Sequence, residues 1–248
     1  MAARRERIDK LLVERGLADT RARAQALVMA GEVLAGEHRV DKPGQLVDVE
    51  LPLRLKGEGL RYVSRGALKL EGALDTFAID PTGMRCVDLG ASTGGFTDLL
   101  LQRGAEAVWA VDVGYGQLHE KLRQDPRVRS FERINARHVG LEELGAEPFD
   151  LGVMDLSFIS LALVLPAAVG LIRTGGQLVM LVKPQFEVGP QDVGKGGVVR
   201  DPAARLAAIE KIRRICGEDL GLEILGCIDS PVHGPAGNVE ALLWVRRS

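Results

Sequence analysis

The chain is poor in aromatic residues, with two Trp, two Tyr and six Phe among 248. It has three cysteines, Cys86, Cys216 and Cys227, an odd number with no C-x-x-C spacing. That speaks against a disulfide framework and against a structural metal, and it fits a reducing, cytoplasmic setting. The N-terminal Met-Ala-Ala-Arg-Arg-Glu-Arg leads into an amphipathic segment rather than an apolar core, so no signal peptide is read there. Nor is there an apolar run of the ~20 residues that a bilayer requires. The longest, residues 156–172, is interrupted by Ser157, Ser160 and Pro166 and reads as a strand end followed by a core helix. Internal repeats, low-complexity tracts and a large excess of one charge are also lacking; the formal net charge is -2.

What is present is the composition of an ordinary globular protein, 46% hydrophobic and 27% charged. The length allows one large domain, or one large and one small. Charge is unevenly spread: residues 1–65 hold 13 Lys and Arg against 10 Asp and Glu, so the remainder is the acidic part. In the first segment Ile8, Leu11 and Leu12 recur at helical spacing, and Gly16 suits a helix end needing positive φ. Asp19 and Thr20 offer an N-cap for a second helix carrying Leu27 and Val28, which Gly31 ends. Short extended pieces follow at residues 33–34 and 47–51, with turn signals at Ala35-Gly36 and Lys42-Pro43-Gly44.

This pattern resembles an S4 RNA-binding domain through Arg7, Asp9, Leu12, Gly16, Thr20-Arg21, Ala24, Gly31, Val33, Gly36, Val40, Lys42-Pro43 and Val47. The resemblance implies a two-helix platform meeting RNA phosphates, with Arg4, Arg5, Arg7, Lys10, Arg21 and Arg23 as candidate contacts. Such contacts orient an RNA and make binding salt-dependent without reading its sequence. Residues 1–59 are assigned to this domain, 60–63 to a linker and 64–248 to a second domain. There, strands expected at residues 85–89, 107–113, 151–155, 177–182, 223–229 and 241–246 alternate with helices. That is the signature of an α/β domain with a mostly parallel sheet.

In the second domain, Cys86-Val-Asp88-Leu-Gly90-Ala-Ser-Thr-Gly94-Gly95-Phe96 is a strand, a Gly-rich turn and a helix start. The turn lacks the Lys of a P-loop, and its Gly90-x-x-x-Gly94 spacing departs from the G-x-G-x-x-G of dinucleotide sites. It resembles motif I of class I S-adenosylmethionine methyltransferases, with a Rossmann-like fold. The candidate cofactor residues are Asp88, Gly90, Ser92, Thr93, Gly94, Gly95 and Phe96. Asp112, ending the next strand, is the candidate for the ribose hydroxyls, and Asn135 for the adenine pocket.

Lys69, Asp155, Lys183 and Glu240 stand in distinctive contexts: Arg65-Gly-Ala-Leu-Lys69-Leu, Met154-Asp155-Leu-Ser-Phe, Val182-Lys183-Pro-Gln-Phe-Glu and Asn238-Val-Glu240-Ala-Leu-Leu-Trp. Asp155 and Lys183 end apolar strands, where α/β sheets bind ligands. The order Lys, Asp, Lys, Glu resembles the tetrad of FtsJ-like ribose 2′-O-methyltransferases, and the surrounding words resemble the TlyA family over nearly the whole chain. That resemblance implies methylation of a cytidine ribose in 16S or 23S rRNA, with S-adenosylmethionine as cofactor and rRNA or ribosomal subunits as partners. Lys183 is then the expected base, oriented by Asp155, with Lys69 and Glu240 completing the network. Asn238, in the turn before Glu240, is an expected ribose contact. Asp155-Leu-Ser-Phe lacks the Pro-Pro of amine methyltransferases, and no Pro-Cys provides a nucleophile for C5 methylation. Two other readings are a membrane-active haemolysin, which needs an apolar or amphipathic element not found here, and a non-catalytic RNA-binding ribosome-assembly factor.

Overall fold

The computed structural model describes residues 5–36, 38–49, 51, 53–55, 61–234 and 236–248. Arg4, a candidate RNA contact, lies outside the described residues, as does Leu60 of the expected linker at 60–63. The chain divides into two compact units, Met1–Arg61 and Tyr62–Ser248.

The first unit runs β1 (Arg5–Arg7), α1 (Ile8–Glu14), α2 (Arg21–Met29), β2 (Val33–Ala35), β3 (His38–Arg39), β4 (Leu46–Asp48) and β5 (Leu53–Leu55). β1 pairs antiparallel with β4, and β2 lies between β3 and β5. Gly16 and Gly31 both have positive φ, as the helix ends demand. The Thr20 hydroxyl accepts from the Arg23 N–H and caps α2. Ile8, Leu12, Ala24, Val28 and Val33 are fully buried in one core. The turn after Ala35 closes the β2–β3 hairpin with Gly36 at φ +61.

The second unit continues with α3 (Ala67–Phe77), β6 (Arg85–Leu89), α4 (Gly95–Gln102), β7 (Ala107–Asp112), α5 (Glu120–Arg123), β8 (Val128–Glu132), α6 (Leu141–Leu144) and β9 (Phe149–Met154). It ends with α7 (Leu161–Leu171), β10 (Ile172–Val182), α8 (Pro202–Arg214), β11 (Glu223–Asp229) and β12 (Ala241–Arg246). Its seven strands form one sheet in the order β11-β12-β10-β9-β6-β7-β8. β10, β9, β6, β7 and β8 are parallel, whereas β12 runs antiparallel between β10 and β11. Hydrophobic clusters cover both faces, so the central strands are apolar throughout rather than alternating. Six of the strands are those expected from sequence. β8 was not, because as an edge strand with a half-exposed pattern it carries Arg129, Ser130 and Glu132 beside only two apolar residues. α7 begins at Ser160, whose hydroxyl caps it, and carries Pro166 within it.

Candidate active site

The loops at the C-terminal ends of the parallel strands surround a cleft of ≈ 890 Å³, lined within the second unit by residues from Ser64 to Glu240. Four ionisable residues far apart in sequence meet here as two pairs. Lys69 Nζ lies 2.6 Å from Glu240 Oε2, and Lys183 Nζ lies 2.6 Å from Asp155 Oδ1. Lys183 also donates to the Ser157 hydroxyl at 2.8 Å. The two lysine side chains are each only 9% exposed. Burial of a charged group is costly unless it is paired, and here each ammonium has its own carboxylate.

Local structure explains each placement. Lys69 stands on the first turn of α3, on the face that also holds Gly72. A Cβ on Gly72 would lie 2.7 Å from Pro231 Cγ, so the absent side chain lets α3 approach the segment leading to Glu240. Asp155 directly follows β9, and Lys183 directly follows β10; adjacent parallel strands bring the pair together. Glu240 precedes β12 and its carboxylate rests against Gly234. A Cβ at Gly234 would lie 2.6 Å from Glu240 Oε1. Gly234→Ala is therefore expected to push the carboxylate away from Lys69 and to abolish most activity while the melting temperature changes little. Methyl-transfer rates alongside a thermal melt check this, and unchanged rates would show that the Lys69–Glu240 contact is dispensable.

The Gly-rich turn forms the other wall. Gly90, Ser92, Thr93, Gly95 and Phe96 line the cleft; Gly94 does not, but its φ of +94 starts α4, and a Cβ there would collide with Leu122 Cδ1 and lie 2.8 Å from Leu118 Cδ1. Gly90 has φ +87, and a Cβ there would lie 2.7 Å from the Asp155 carbonyl oxygen, so the turn and the Asp155 loop touch through backbone. Asp88 is wholly buried beneath this turn. Its Oδ2 accepts from the Thr97 hydroxyl at 2.7 Å, while Oδ1 has no partner among the described residues. Burial away from water raises its pKa to about 7.

These features fit S-adenosylmethionine. A buried carboxylate oxygen without a donor suits an ammonium, and the cleft has the size of a small-molecule site. Asp112 ends β7 beside Ser92, and its two oxygens accept from the Ser92 and Gly114 N–H groups at 2.8 and 2.6 Å. An ionised carboxylate has about four acceptor positions, so capacity for hydroxyls is left. Asn135 does not line the cleft: it is exposed, and its side-chain oxygen accepts from the Arg137 N–H. Asn238 lines the cleft, but both amide atoms are engaged with the loop of residues 197–199. Nδ2 donates to the Gly197 carbonyl and Oδ1 accepts from the Val199 N–H. Gln185, Phe158, Phe186 and His233 line the cleft without having been singled out from sequence. Phe158 was the most detectable of these, as a large apolar residue just beyond a strand end. It is 91% exposed with φ +64 and tilts against Phe186 at 5.5 Å.

In the first unit, Arg7 and Arg21 converge on buried Asp9. Arg7 makes two bonds to its carboxylate, at 3.0 and 2.8 Å, and Arg21 one at 3.3 Å, while Gln25 donates at 2.9 Å. The Arg7 guanidinium holds the Asp9 carboxyl well below the usual carboxylate range despite its burial. Lys10 pairs with Glu6 and Glu14; Arg5 and Arg23 are exposed. No group of three or more His, Cys, Asp or Glu among the described residues could hold a metal ion, and no helix among them is long and apolar enough to cross a membrane.

A parallel sheet with one antiparallel strand inserted before its last strand, a Gly-rich turn after the first strand and an acidic residue ending the second define a class I methyltransferase fold. A family model for FtsJ-like methyltransferases matches residues 62–247, and one for the S4 domain matches residues 6–51. The chain is 51% identical over 245 residues to the 16S/23S rRNA (cytidine-2′-O)-methyltransferase TlyA of Mycobacterium tuberculosis, covering 98% of this chain and 91% of the relative. It is 37% identical to Hemolysin A of Brachyspira hyodysenteriae over 95% of this chain and 98% of that protein. A solved structure from Streptococcus thermophilus, provisionally named a hemolysin, superposes with a TM-score of 0.77 at 45% identity, covering 100% of this chain and 90% of that one. The chain belongs to the FtsJ-like methyltransferases, in the S4-bearing TlyA family.

Proposed function

We propose that this protein transfers a methyl group from S-adenosylmethionine to the 2′-hydroxyl of a cytidine ribose in 16S or 23S rRNA. The observation that carries the reading is the meeting of two buried Lys–carboxylate pairs in one cleft with the Gly-rich turn. The relative most informative on substrate is the M. tuberculosis protein, whose name specifies the cytidine 2′-oxygen of both rRNAs.

When bound, S-adenosylmethionine supplies an electrophilic methyl carbon on a sulfonium, which is already a good leaving group. Asp88, Gly90, Ser92, Thr93, Gly95 and Phe96 would hold it, with Asp112 on its ribose. The work left to the protein is to position the hydroxyl and take its proton. Lys183, fixed by Asp155 and Ser157, is the group for the proton, which it takes as a neutral amine after its own ammonium proton has passed to solvent. Lys69, fixed by Glu240, positions the ribose from the other side. The cleft walls also include Phe158 and Phe186.

Residues 1–59 serve to hold RNA, and residues 64–248 carry out the chemistry. Asp9 keeps the guanidinium groups of Arg7 and Arg21 together, and both remain about half exposed, at 44% and 58%. Replacing both with Gln is expected to weaken rRNA binding and to reduce the slope of log K against log salt by roughly one per lost phosphate contact. Binding titrations at several salt concentrations read this out; an unchanged slope would remove these arginines from the interface.

The test of the function uses methyl-labelled S-adenosylmethionine and purified unmodified ribosomal subunits. Label in RNA at a linkage resistant to alkaline cleavage is expected, because a 2′-O-methyl removes the hydroxyl that attacks the backbone. Label at a linkage that still cleaves would mean base methylation and would overturn the reading. Binding to subunits with no label, by protein that binds the cofactor, would favour a non-catalytic assembly role.

A further inference from the structure

The loops that carry Lys183 and Asp155 are joined along their length in a way the chemistry of the site does not itself require. Beyond the ion pair, Ser157 accepts from Lys183, and Phe158 meets Phe186 at 5.5 Å. Further out, Glu187 closes the series. It is only 6% exposed, on a tight turn in which the Glu187 N–H donates to the Pro184 carbonyl. Its Oε2 accepts from the Ser160 hydroxyl at 2.5 Å, and its Oε1 accepts from the Leu161 N–H at 2.6 Å. Lys211 on α8 donates to the Glu187 carbonyl at 2.9 Å and lies 3.2 Å from Oε2. The residues of one loop, 155, 157, 158 and 160–161, thus meet 183, 183, 186 and 187 of the other in order.

Glu187 sits in a place where a carboxylate has three independent duties. It satisfies orphan donors at the N-terminus of α7, it faces the positive end of that helix, and it receives the Lys211 ammonium. A Leu or Val there would fill the space equally well but would leave the Leu161 N–H and the Lys211 ammonium without this acceptor. Glu187 does not line the cleft, and each catalytic residue is only four or five positions from this anchor, close enough for it to set the spacing of the two loops.

We propose that Glu187 is a positioning residue: by clamping the loop after β10 to the start of α7, it holds Lys183 against Asp155 in the geometry needed for proton removal. This rests on the assignment of Lys183 as the group that takes the proton. Glu187→Gln should preserve the clamp between the two loops, because its amide oxygen can accept from Leu161 N–H and its NH₂ can donate to the Ser160 hydroxyl; it gives up only the side-chain contact to Lys211 on α8, whose bond to the residue-187 carbonyl remains. Glu187→Ala removes it.

Two measurements on the full-length protein test the inference. In the first, acetic anhydride labels lysines under native conditions, and peptide mass spectrometry reads Lys183 against Lys69. Both side chains are 9% exposed and ion-paired, but Lys69 is held by Glu240 on other elements. Glu187→Ala should raise acetylation of Lys183 several-fold and leave Lys69 unchanged, and Glu187→Gln should match the wild type. In the second, kcat for methyl transfer to ribosomal subunits should fall about tenfold to a hundredfold in Glu187→Ala, the scale of a 1 Å misplacement, with cofactor Kd unchanged. Equal increases at Lys183 and Lys69 would mean general loosening and would overturn the proposal, as would wild-type labelling and kcat in Glu187→Ala. If wild-type protein transfers no methyl group to RNA, the functional reading fails, and the contrast between the two lysines still decides whether Glu187 positions Lys183.

Discussion

Lys183→Ala should reduce methyl transfer to rRNA by about a hundredfold to ten-thousandfold, the range in which a positioned proton acceptor contributes. Cofactor affinity should stay close to wild type, since Lys183 is bonded to Asp155 and Ser157 and to none of the residues assigned to S-adenosylmethionine. Lys183→Arg should be no better than Ala. A guanidinium cannot give up its proton in a protein, and its planar fork does not reproduce the point contact of the ammonium with Asp155 and Ser157. Single-turnover transfer of labelled methyl, with cofactor binding measured in parallel by calorimetry, separates the step from binding. Retention of more than about a tenth of the rate in Lys183→Ala would be smaller than any general-base contribution and would take this role from Lys183. Asp155→Asn tests the partner: it keeps the shape and removes the charge that holds the ammonium.

The second large effect concerns Asp88. Its carboxyl is fully buried, so its ionised form lacks water, and its pKa rises to about 7 from an ordinary 3.8. The unfolded chain loses this proton near pH 4, whereas the folded protein keeps it until near pH 7. The folded state thus binds more protons between these values. Stability conferred by the protonated carboxyl is full below pH 4, falls as pH rises, and is lost above 7. Asp88→Asn is isosteric, keeps an acceptor for the Thr97 hydroxyl and never ionises. It should melt close to the wild type near pH 4 and higher at pH 8, by at most roughly 4 kcal/mol, from about 3 pKa units. The same substitution should weaken cofactor binding by one or two orders of magnitude, because the free Oδ1 is the group that suits an ammonium. Calorimetric scans of cofactor-free protein at both pH values give the first number, and titration with S-adenosylmethionine gives the second. An Asn variant that melts lower at pH 8 would show that the buried charge is compensated by something other than the cofactor. The opposing signs of the two effects express a general cost of function: a group held ready for a ligand destabilises the protein that lacks it.

Much of this could be read along the chain. The apolar runs at β6, β7, β9, β10, β11 and β12 and the Gly-rich turn after β6 are local signals. Buried parallel strands need uninterrupted apolar residues, and positive φ selects glycine. The S4 helices were legible for the same reason, through Gly16, Thr20 and Gly31 at their ends. The four ionisable residues were identifiable as a set because each stood in a distinctive local word. Their pairing was not. Lys69 looks like a surface helix lysine until Gly72 lets Pro231 close on α3, and which lysine meets which carboxylate depends on the parallel pairing of β9 with β10. Tertiary structure also decided where polar side chains direct their bonds. It turned the Asn238 amide to the loop of residues 197–199 and put the Asn135 side chain on its own turn. It gathered Arg7, Arg21 and Gln25 on Asp9, and made Glu187 a link between three elements. Backbone preference and hydrophobic periodicity act over a few residues and are written into the local sequence. Hydrogen bonds and ion pairs between distant side chains depend on distances of a few ångströms that only the packed fold sets.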